Sequence, residues 1–290
     1  MADSVRIHAG RQPHLWAASQ ELNPELLQHC HLFLDACESS LSFAVFDPRK
    51  AQFEAAGKFN FSPGAFWNEI DGLVAETSLL RQEYHSMVGT WFSPWNTLVP
   101  LPLFDPDKNR EYLEFNLKLP ESAAVYHDQL QNLDACLVYA LPNDKKGHLK
   151  RLFPKMSLRH HSSASIDIRL LLHKHIDTPQ VFLHFIDQHF ELLVTHGRQL
   201  RFYNTFAWNS PEDVAYYLLF VAEQMQLATH ELQPVFSGEI PVDGPIAALL
   251  QPYVQKIQWA TRPKGYQFSA AFDELPEHFF FHPLHLLLCA

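Results

Sequence analysis

The sequence has no apolar run near the roughly 20 residues that a membrane-spanning helix needs. Residues 1–25 are polar and lack the apolar core of a signal peptide. The net charge is −10 without a basic cluster, which disfavours nucleic acid as the main partner. These absences predict a cytoplasmic protein. Apolar residues make up 47% of the 290, enough for a large core.

Catalytic signatures are also missing. The sequence contains no G-x-S-x-G, P-loop or H-E-x-x-H motif. Ser39 and Ser40 have no identifiable base, so no catalytic residue is predicted. No C-x-x-C pair occurs either, and the cysteines are predicted to be structural thiols of a reducing compartment. They are Cys30, Cys37, Cys136 and Cys289.

Histidine is abundant, with 18 residues, and raises the question of a metal site. His278, His282 and His285 have a spacing that places three imidazoles near one face of a helix. Pro283 interrupts that helix, and no nearby cysteine or carboxylate completes a tetrahedral set. The pair His160–His161 is equally unsupported. We therefore predict hydrogen-bonded or surface histidines and no metal ligand.

Residues 181–206 contain three apolar runs separated by short polar turns, which predicts an antiparallel three-stranded meander. A helix is predicted to follow, because Ser210 is a favourable N-cap and Pro211 suits the first helical position. The next elements are predicted to be a strand, a helix and a strand, at residues 232–236, 245–254 and 256–261.

The same pattern occurs earlier in the chain. Three apolar runs within residues 31–61 predict another meander, and Ser62-Pro63 begins a helix. Strands and helices alternate from there to a helix that Ser162 is expected to cap. The chain therefore consists of two β-β-β-α-β-α-β halves, an internal repeat. We place them at residues 30–178 and 179–290, the second with a C-terminal tail, after an N-terminal extension of residues 1–29.

Two such halves around a cleft are typical of the actin-like ATPase (ribonuclease H-like) fold, an α/β fold. The sequence resembles the bacterial branch of this fold, the type IV pilus-assembly and cell-division ATPase-like proteins. It is most similar to a family of uncharacterised bacterial proteins, a domain of unknown function. The segments that support this resemblance are residues 97–100, 237–240 and 266–269.

The resemblance implies where a nucleotide would bind. In ATP-binding members, the first turn of each meander reads Asp-x-Gly; the glycine lets backbone N–H groups approach a phosphate, and the aspartate positions magnesium. Here the turns read Asp35-Ala36-Cys37 and Asp187-Gln188-His189, so both aspartates are kept and both glycines are lost. The adenosine motif keeps one glycine of its usual pair. If nucleotide binds, the implied residues are Asp35, Ser39, Ser40, Asp187 and Gly238.

Two symmetric glycine losses predict a degenerate phosphate clamp, because side chains at these positions fill phosphate space. We therefore predict a non-catalytic actin-like scaffold, a pseudo-ATPase that binds an unidentified cytoplasmic protein and needs no cofactor. The alternative is a switch or weak ATPase that binds ATP and magnesium. Asp187 separates the two hypotheses: it either bonds backbone N–H groups of its own turn, which we expect, or serves a cation. The partner and the oligomeric state stay open.

Overall fold

The computed structural model describes residues 13–20 and 22–289. Within these residues no helix is both long and apolar enough to cross a membrane. The strands are β1 (Leu15–Ala18), β2 (His31–Cys37), β3 (Ser40–Asp47), β4 (Gln52–Asn60), β5 (Ser86–Trp91), β6 (Asn96–Pro100), β7 (Ala123–Gln129), β8 (Ala135–Pro142), β9 (Met156–His160), β10 (Pro179–Ile186), β11 (His189–His196), β12 (Gln199–Ala207), β13 (Val235–Gly238), β14 (Gln258–Trp259) and β15 (Gln267–Phe268). The α-helices are α1 (Pro24–Leu27), α2 (Phe66–Glu76), α3 (Ser78–Arg81), α4 (Asn109–Glu114), α5 (Lys145–Leu152), α6 (His161–His173), α7 (Pro211–Gln224), α8 (Pro245–Leu250) and α9 (Phe281–His285).

Two sheets share one strand order. In the first, β4, β3 and β2 form an antiparallel meander, and β5 and β9 continue parallel to β2. In the second, β12, β11 and β10 form the meander, and β13 and β14 continue parallel to β10. The predicted α/β fold with two repeated halves is therefore confirmed.

The first half carries an insertion that breaks the simple repeat. Strands β6, β8 and β7 form a separate antiparallel sheet. The apolar run at residues 135–140 belongs to β8, which lies at the centre of this small sheet. Its apolar residues are buried throughout, because its two faces pack on different core clusters, with Leu137 in one and Val138 and Ala140 in the other. The fifth strand of the first sheet is β9 instead.

Both ends of the described chain return to the first sheet. Strand β1, within the predicted N-terminal extension, pairs with β4. Strand β15 also pairs with β4, and α9 packs on β2 and β3. Phe280 and Phe281 share a buried cluster with Phe33 and Phe53. The C-terminal tail therefore packs on the first sheet, although the predicted boundaries group it with the second half.

Two helix starts are relevant to the site. Helix α7 begins as predicted, with a capping box between Ser210 and Asp213. Helix α6 begins one residue before the predicted cap, Ser162. Its N-cap is His160, whose Nδ1 accepts a hydrogen bond from the Ser162 backbone N–H at 3.0 Å. This start places the next residue, His161, at the N-terminus of a helix between the two sheets.

Candidate functional site

A cleft between the two halves holds a cavity of about 570 Å³. The β2–β3 turn contributes Ser39 and Ser40, and the β10–β11 turn contributes Asp187. A smaller adjoining cavity of about 40 Å³ is lined by Asp35, Ser40, Asp187 and Gly238, among others. The five residues that the resemblance implies for nucleotide binding therefore surround one cleft.

The first predicted phosphate turn is tighter than the sequence suggested. Asp35 was expected in the turn but lies within β2, opposite Ser42, because pairing continues to Cys37 and Ser40. The turn that remains contains only residues 38 and 39. The Cys37 thiol lies 3.2 Å from the Ser39 hydroxyl and 3.3 Å from the Ser40 hydroxyl. The cysteine at the lost glycine thus contacts both serines of the predicted site.

The Asp35 carboxylate is already bound by side chains of the protein. Its Oδ1 accepts a hydrogen bond from Thr90 Oγ1 at 2.7 Å and lies 2.8 Å from His161 Nδ1. His161 is fully buried. Burial alone would lower the pKa of this imidazole, but the carboxylates of Asp35 and Glu191 raise it to about 10. The retained aspartate therefore faces a histidinium at neutral pH.

The second predicted turn is a two-residue hairpin of Asp187 and Gln188, closed by the pair Ile186 and His189. Asp187 has left-handed backbone geometry, with φ of 53°. Its carbonyl accepts from Trp208 Nε1 at 3.0 Å, and the Gln188 carbonyl accepts from the Trp208 backbone N–H at 2.9 Å. No hydrogen bond found in the described part of the chain uses the Asp187 carboxylate. The expected bond to its own turn is therefore not formed, since strand pairing and Trp208 already engage the turn backbone.

Gly238 has a structural reason to be glycine. Its φ is +96°, and a Cβ there would lie 2.3 Å from the Phe185 carbonyl oxygen. Its N–H donates to the His278 carbonyl oxygen at 2.9 Å. The glycine thus allows β13 to approach β10 closely, whether or not a nucleotide binds.

An ion pair bridges the halves beside this glycine. Lys58 Nζ of β4 lies 2.6 Å from Glu239 Oε2, directly after β13, and His14 Nε2 lies 2.6 Å from Glu239 Oε1. Burial would raise the pKa of Glu239, but the Lys58 ammonium lowers it. Because Lys58 and Glu239 both line the large cavity, this contact ties the two walls of the cleft together.

A buried polar cluster below the cleft was missed by the sequence analysis. His161 stacks on His282 of α9, with ring centroids 3.6 Å apart, and on His184 of β10, at 5.0 Å. Glu191 of β11 is fully buried, and its Oε2 lies 3.6 Å from His161 Nε2. The ligand atoms of the three histidines all lie within 4.8 Å of one another. Imidazole groups this close are able to share one metal ion.

The pKa values in this cluster are strongly displaced. Burial and the His161 charge lower the pKa of His184 and of His282 well below the ordinary value. Burial would raise the pKa of Glu191, but the His161 charge lowers it. The cluster therefore holds one positive charge, on His161, between the carboxylates of Asp35 and Glu191.

Comparisons with known proteins agree with this architecture. The model of a family described as "Protein of unknown function (DUF3822)" matches residues 19–257. One similar solved structure is a protein of actin-like ATPase fold and unknown function from Bacteroides thetaiotaomicron VPI-5482, with a TM-score of 0.73, 14% identity, and 82% of this chain and 93% of that chain covered. Another is the PilM-PilN type IV pilus biogenesis complex, with a TM-score of 0.56, 12% identity, and coverage of 89% and 96%. A comparison with curated proteins finds no match.

Proposed function

The chain belongs to the DUF3822 family of unknown function and has the actin-like ATPase fold, and from this premise we propose that it is a non-catalytic scaffold that binds another protein. The observation that carries the proposal is the engagement of Asp35 by Thr90 and His161. In ATP-binding members of the fold this aspartate positions magnesium. Here its carboxylate already has a cationic partner inside the protein.

Electrostatics oppose a metal–nucleotide complex at Asp35. A magnesium ion near this carboxylate would approach the His161 imidazolium, whose pKa is raised to about 10. Two cations in a poorly hydrated site repel each other strongly. The Cys37 thiol next to Ser39 and Ser40 adds side-chain bulk where the phosphate turn needs glycine. Both features favour a cleft without magnesium-ATP.

The ion pair of Lys58 and Glu239 supports the same conclusion. Switch proteins use closure of two domains around a ligand. The ion pair at 2.6 Å already joins the walls and favours the present arrangement of the cleft by about 1 kcal/mol. A scaffold benefits from such rigidity, because a preorganised surface loses less conformational entropy on binding.

The inserted sheet offers a surface for the partner. Phe115 is 85% exposed after α4, and Leu103 is 70% exposed at the end of the 3-10 turn Leu101–Leu103. Both residues belong to the insertion, and exposed large apolar side chains are candidates for contact sites. One solved structure of this fold is a complex of two pilus biogenesis proteins. We propose that an apolar segment of a partner protein binds this insertion.

Two measurements test the function. Magnesium-ATP at millimolar concentration should leave the melting temperature unchanged, and no ATP turnover should be detected. Quantitative pull-down from the native host should recover a partner with the wild type, lose it with Phe115→Ser, and keep it with the control Phe220→Ser on α7. Robust turnover, or equal recovery by all three proteins, would reject the proposal.

A nucleotide switch is the second candidate, because one observation favours it. Ser39, Ser40 and Asp187 line a single cavity of about 570 Å³, and the side chain of Asp187 is exposed there. A ligand at 100 times its dissociation constant stabilises a protein by about 2.7 kcal/mol. A rise in melting temperature with magnesium-ATP that disappears in Asp187→Asn would support this candidate over the scaffold.

A further inference from the structure

Three histidines from distant parts of the chain meet at one buried point. His161 begins α6, His184 lies on β10, and His282 lies on α9. They are 0%, 5% and 1% exposed, respectively. The first and last are 121 positions apart, so folding alone brings them together. Three imidazoles in one buried place need either hydrogen-bond partners or a shared ligand.

Two of these rings are held in the way that metal-bound histidines usually are. His161 Nδ1 lies 2.8 Å from the Asp35 carboxylate, and His184 Nδ1 lies 2.9 Å from Ser237 Oγ. Ser237 Oγ also accepts from Arg169 Nη2 at 2.8 Å. A ligating histidine commonly uses its second nitrogen in this manner, which fixes the ring and leaves the first nitrogen for the metal.

Unpartnered atoms face each other at the same point. His161 Nε2 and both carboxylate oxygens of Glu191 are buried without a hydrogen bond of normal geometry, although the His161 charge and the Ser162 hydroxyl lie near the carboxylate. The separation of 3.6 Å between His161 Nε2 and Glu191 Oε2 is too long for a hydrogen bond of normal strength. Buried polar atoms are rarely left in this state. A cation bound between His161 Nε2 and the Glu191 carboxylate would give all three of these atoms a partner.

We propose that His161, His184, His282 and Glu191 bind one divalent transition-metal ion of the zinc class. Three imidazoles and one carboxylate form a donor set that suits zinc, whereas magnesium and calcium prefer oxygen ligands. Because four protein groups fill the coordination sphere in a buried place, the site is structural. It joins α6, both strands of the second meander hairpin and the C-terminal helix. It uses His161 as the scaffold proposal does, but here the ion, in place of the proton, would supply the positive charge beside Asp35.

Metal binding requires three local changes. The Glu191 carboxylate must move closer, because in the described chain the group of ligand atoms within 4.8 Å of one another holds the three histidines without it. The rings of His161 and His282 are stacked, with 20° between their planes, so their in-plane lone pairs cannot both point at one ion until a ring turns. The His282 ring is the one that can rotate, because its contact of 3.3 Å from Nε2 to Thr90 Oγ1 is long and weak. His161 must also release its proton. Binding near neutral pH therefore releases about one proton, and affinity rises with pH.

The experiment uses the full chain, stripped of metal with a chelator and then titrated with zinc or cobalt(II). Elemental analysis should find about one zinc per chain, and cobalt(II) should give the visible absorption of a four-coordinate site. Glu191→Gln and His184→Asn should lose this uptake. Ser237→Ala should weaken it by about 10- to 100-fold, because it removes the outer partner of His184. His230→Asn, on an exposed histidine, is the matched control and should bind as the wild type does.

Several results would overturn the site. Folded, stripped wild type that takes up no zinc or cobalt excludes it. Uptake that survives in Glu191→Gln and His184→Asn but falls in His230→Asn assigns the metal to the surface. If a variant fails to fold, X-ray absorption of the zinc-loaded wild type decides: three imidazole nitrogens support the site, and a shell of oxygens rejects it.

Discussion

Replacing Asp35 by asparagine tests the central electrostatic feature of the cleft. Asparagine is nearly isosteric and keeps an oxygen that can accept from Thr90 Oγ1 and His161 Nδ1. The change therefore removes the negative charge and little of the geometry. In the folded protein that charge holds the proton on His161, together with Glu191. We expect Asp35→Asn to destabilise the protein without any ligand.

The size of the effect follows from the contacts. Breaking a buried ion pair by removing one partner costs about 3–5 kcal/mol. Two features reduce this figure: the Asp35 side chain is 16% exposed, and Glu191 remains as a second anion 3.6 Å from His161. A hydrogen bond to a charged group contributes about 1.5–3 kcal/mol. We therefore expect a loss of about 2 kcal/mol in the free energy of unfolding at pH 7.

Urea unfolding of the wild type, Asp35→Asn, His161→Gln and the double variant provides the measurement. The double-mutant cycle should give a coupling energy of about 1–2 kcal/mol between the two residues. Asp187→Asn is the control: the same change on another carboxylate of the cleft, one without a hydrogen bond in the described structure. If Asp35→Asn changes the stability by less than about 0.5 kcal/mol, Asp35 is not held by His161 and the nucleotide hypothesis gains support.

Three further predictions concern pH, the second turn and the cleft. The melting temperature should fall from about pH 7 toward pH 10, because His161, whose pKa is raised to about 10, loses its proton. It should also fall below about pH 6.5, because burial lowers the pKa values of neighbouring histidines and the unfolded chain then binds protons that the folded chain does not. Calorimetry across pH 5–10 measures both changes. Asp187→Ala should cost about 1 kcal/mol in urea unfolding and Asp187→Gly less, because the left-handed backbone at φ 53° suits glycine. Lys58→Met and Glu239→Gln should each cost about 1 kcal/mol in urea unfolding, and the double variant no more than either, because both remove the same ion pair.

The fold was predictable from the sequence because both halves show the same order of apolar runs and polar turns. Each meander consists of strands of seven to nine residues joined by short turns, and such strands pair with their nearest neighbours in the chain. The insertion was harder to recognise. Strand β8 has an apolar sequence like that of a strand in a parallel sheet, and the residues around it do not indicate which strands it pairs with. The same limit applies to the C-terminal segment, whose contacts with the first sheet join residues more than 200 positions apart.

The sequence predicted which residues line the cleft, but it did not predict the hydrogen bonds that their side chains make. Asp35, near the end of β2, and Asp187, in the β10–β11 turn, lie at one cleft because the corresponding hairpins of the two halves face each other. Whether His160 or His161 reaches that cleft is decided by where α6 starts. His160 uses both ring nitrogens on backbone groups of Ser93 and Ser162 and has its pKa lowered to about 3, whereas His161, one residue later, carries the charge. Adjacent histidines in a sequence give no sign of this difference.

The buried histidinium and the lost glycines are parts of one change. In the ATP-binding members a glycine turn holds phosphate and magnesium beside the aspartate, so the aspartate has its counter-ion only when nucleotide is bound. In this chain His161 lies 2.8 Å from the Asp35 carboxylate, and the Cys37 thiol lies beside Ser39 at the position that is glycine in those members. We infer that an aspartate with a cationic partner inside the protein responds little to nucleotide, which fits the proposed scaffold better than a switch.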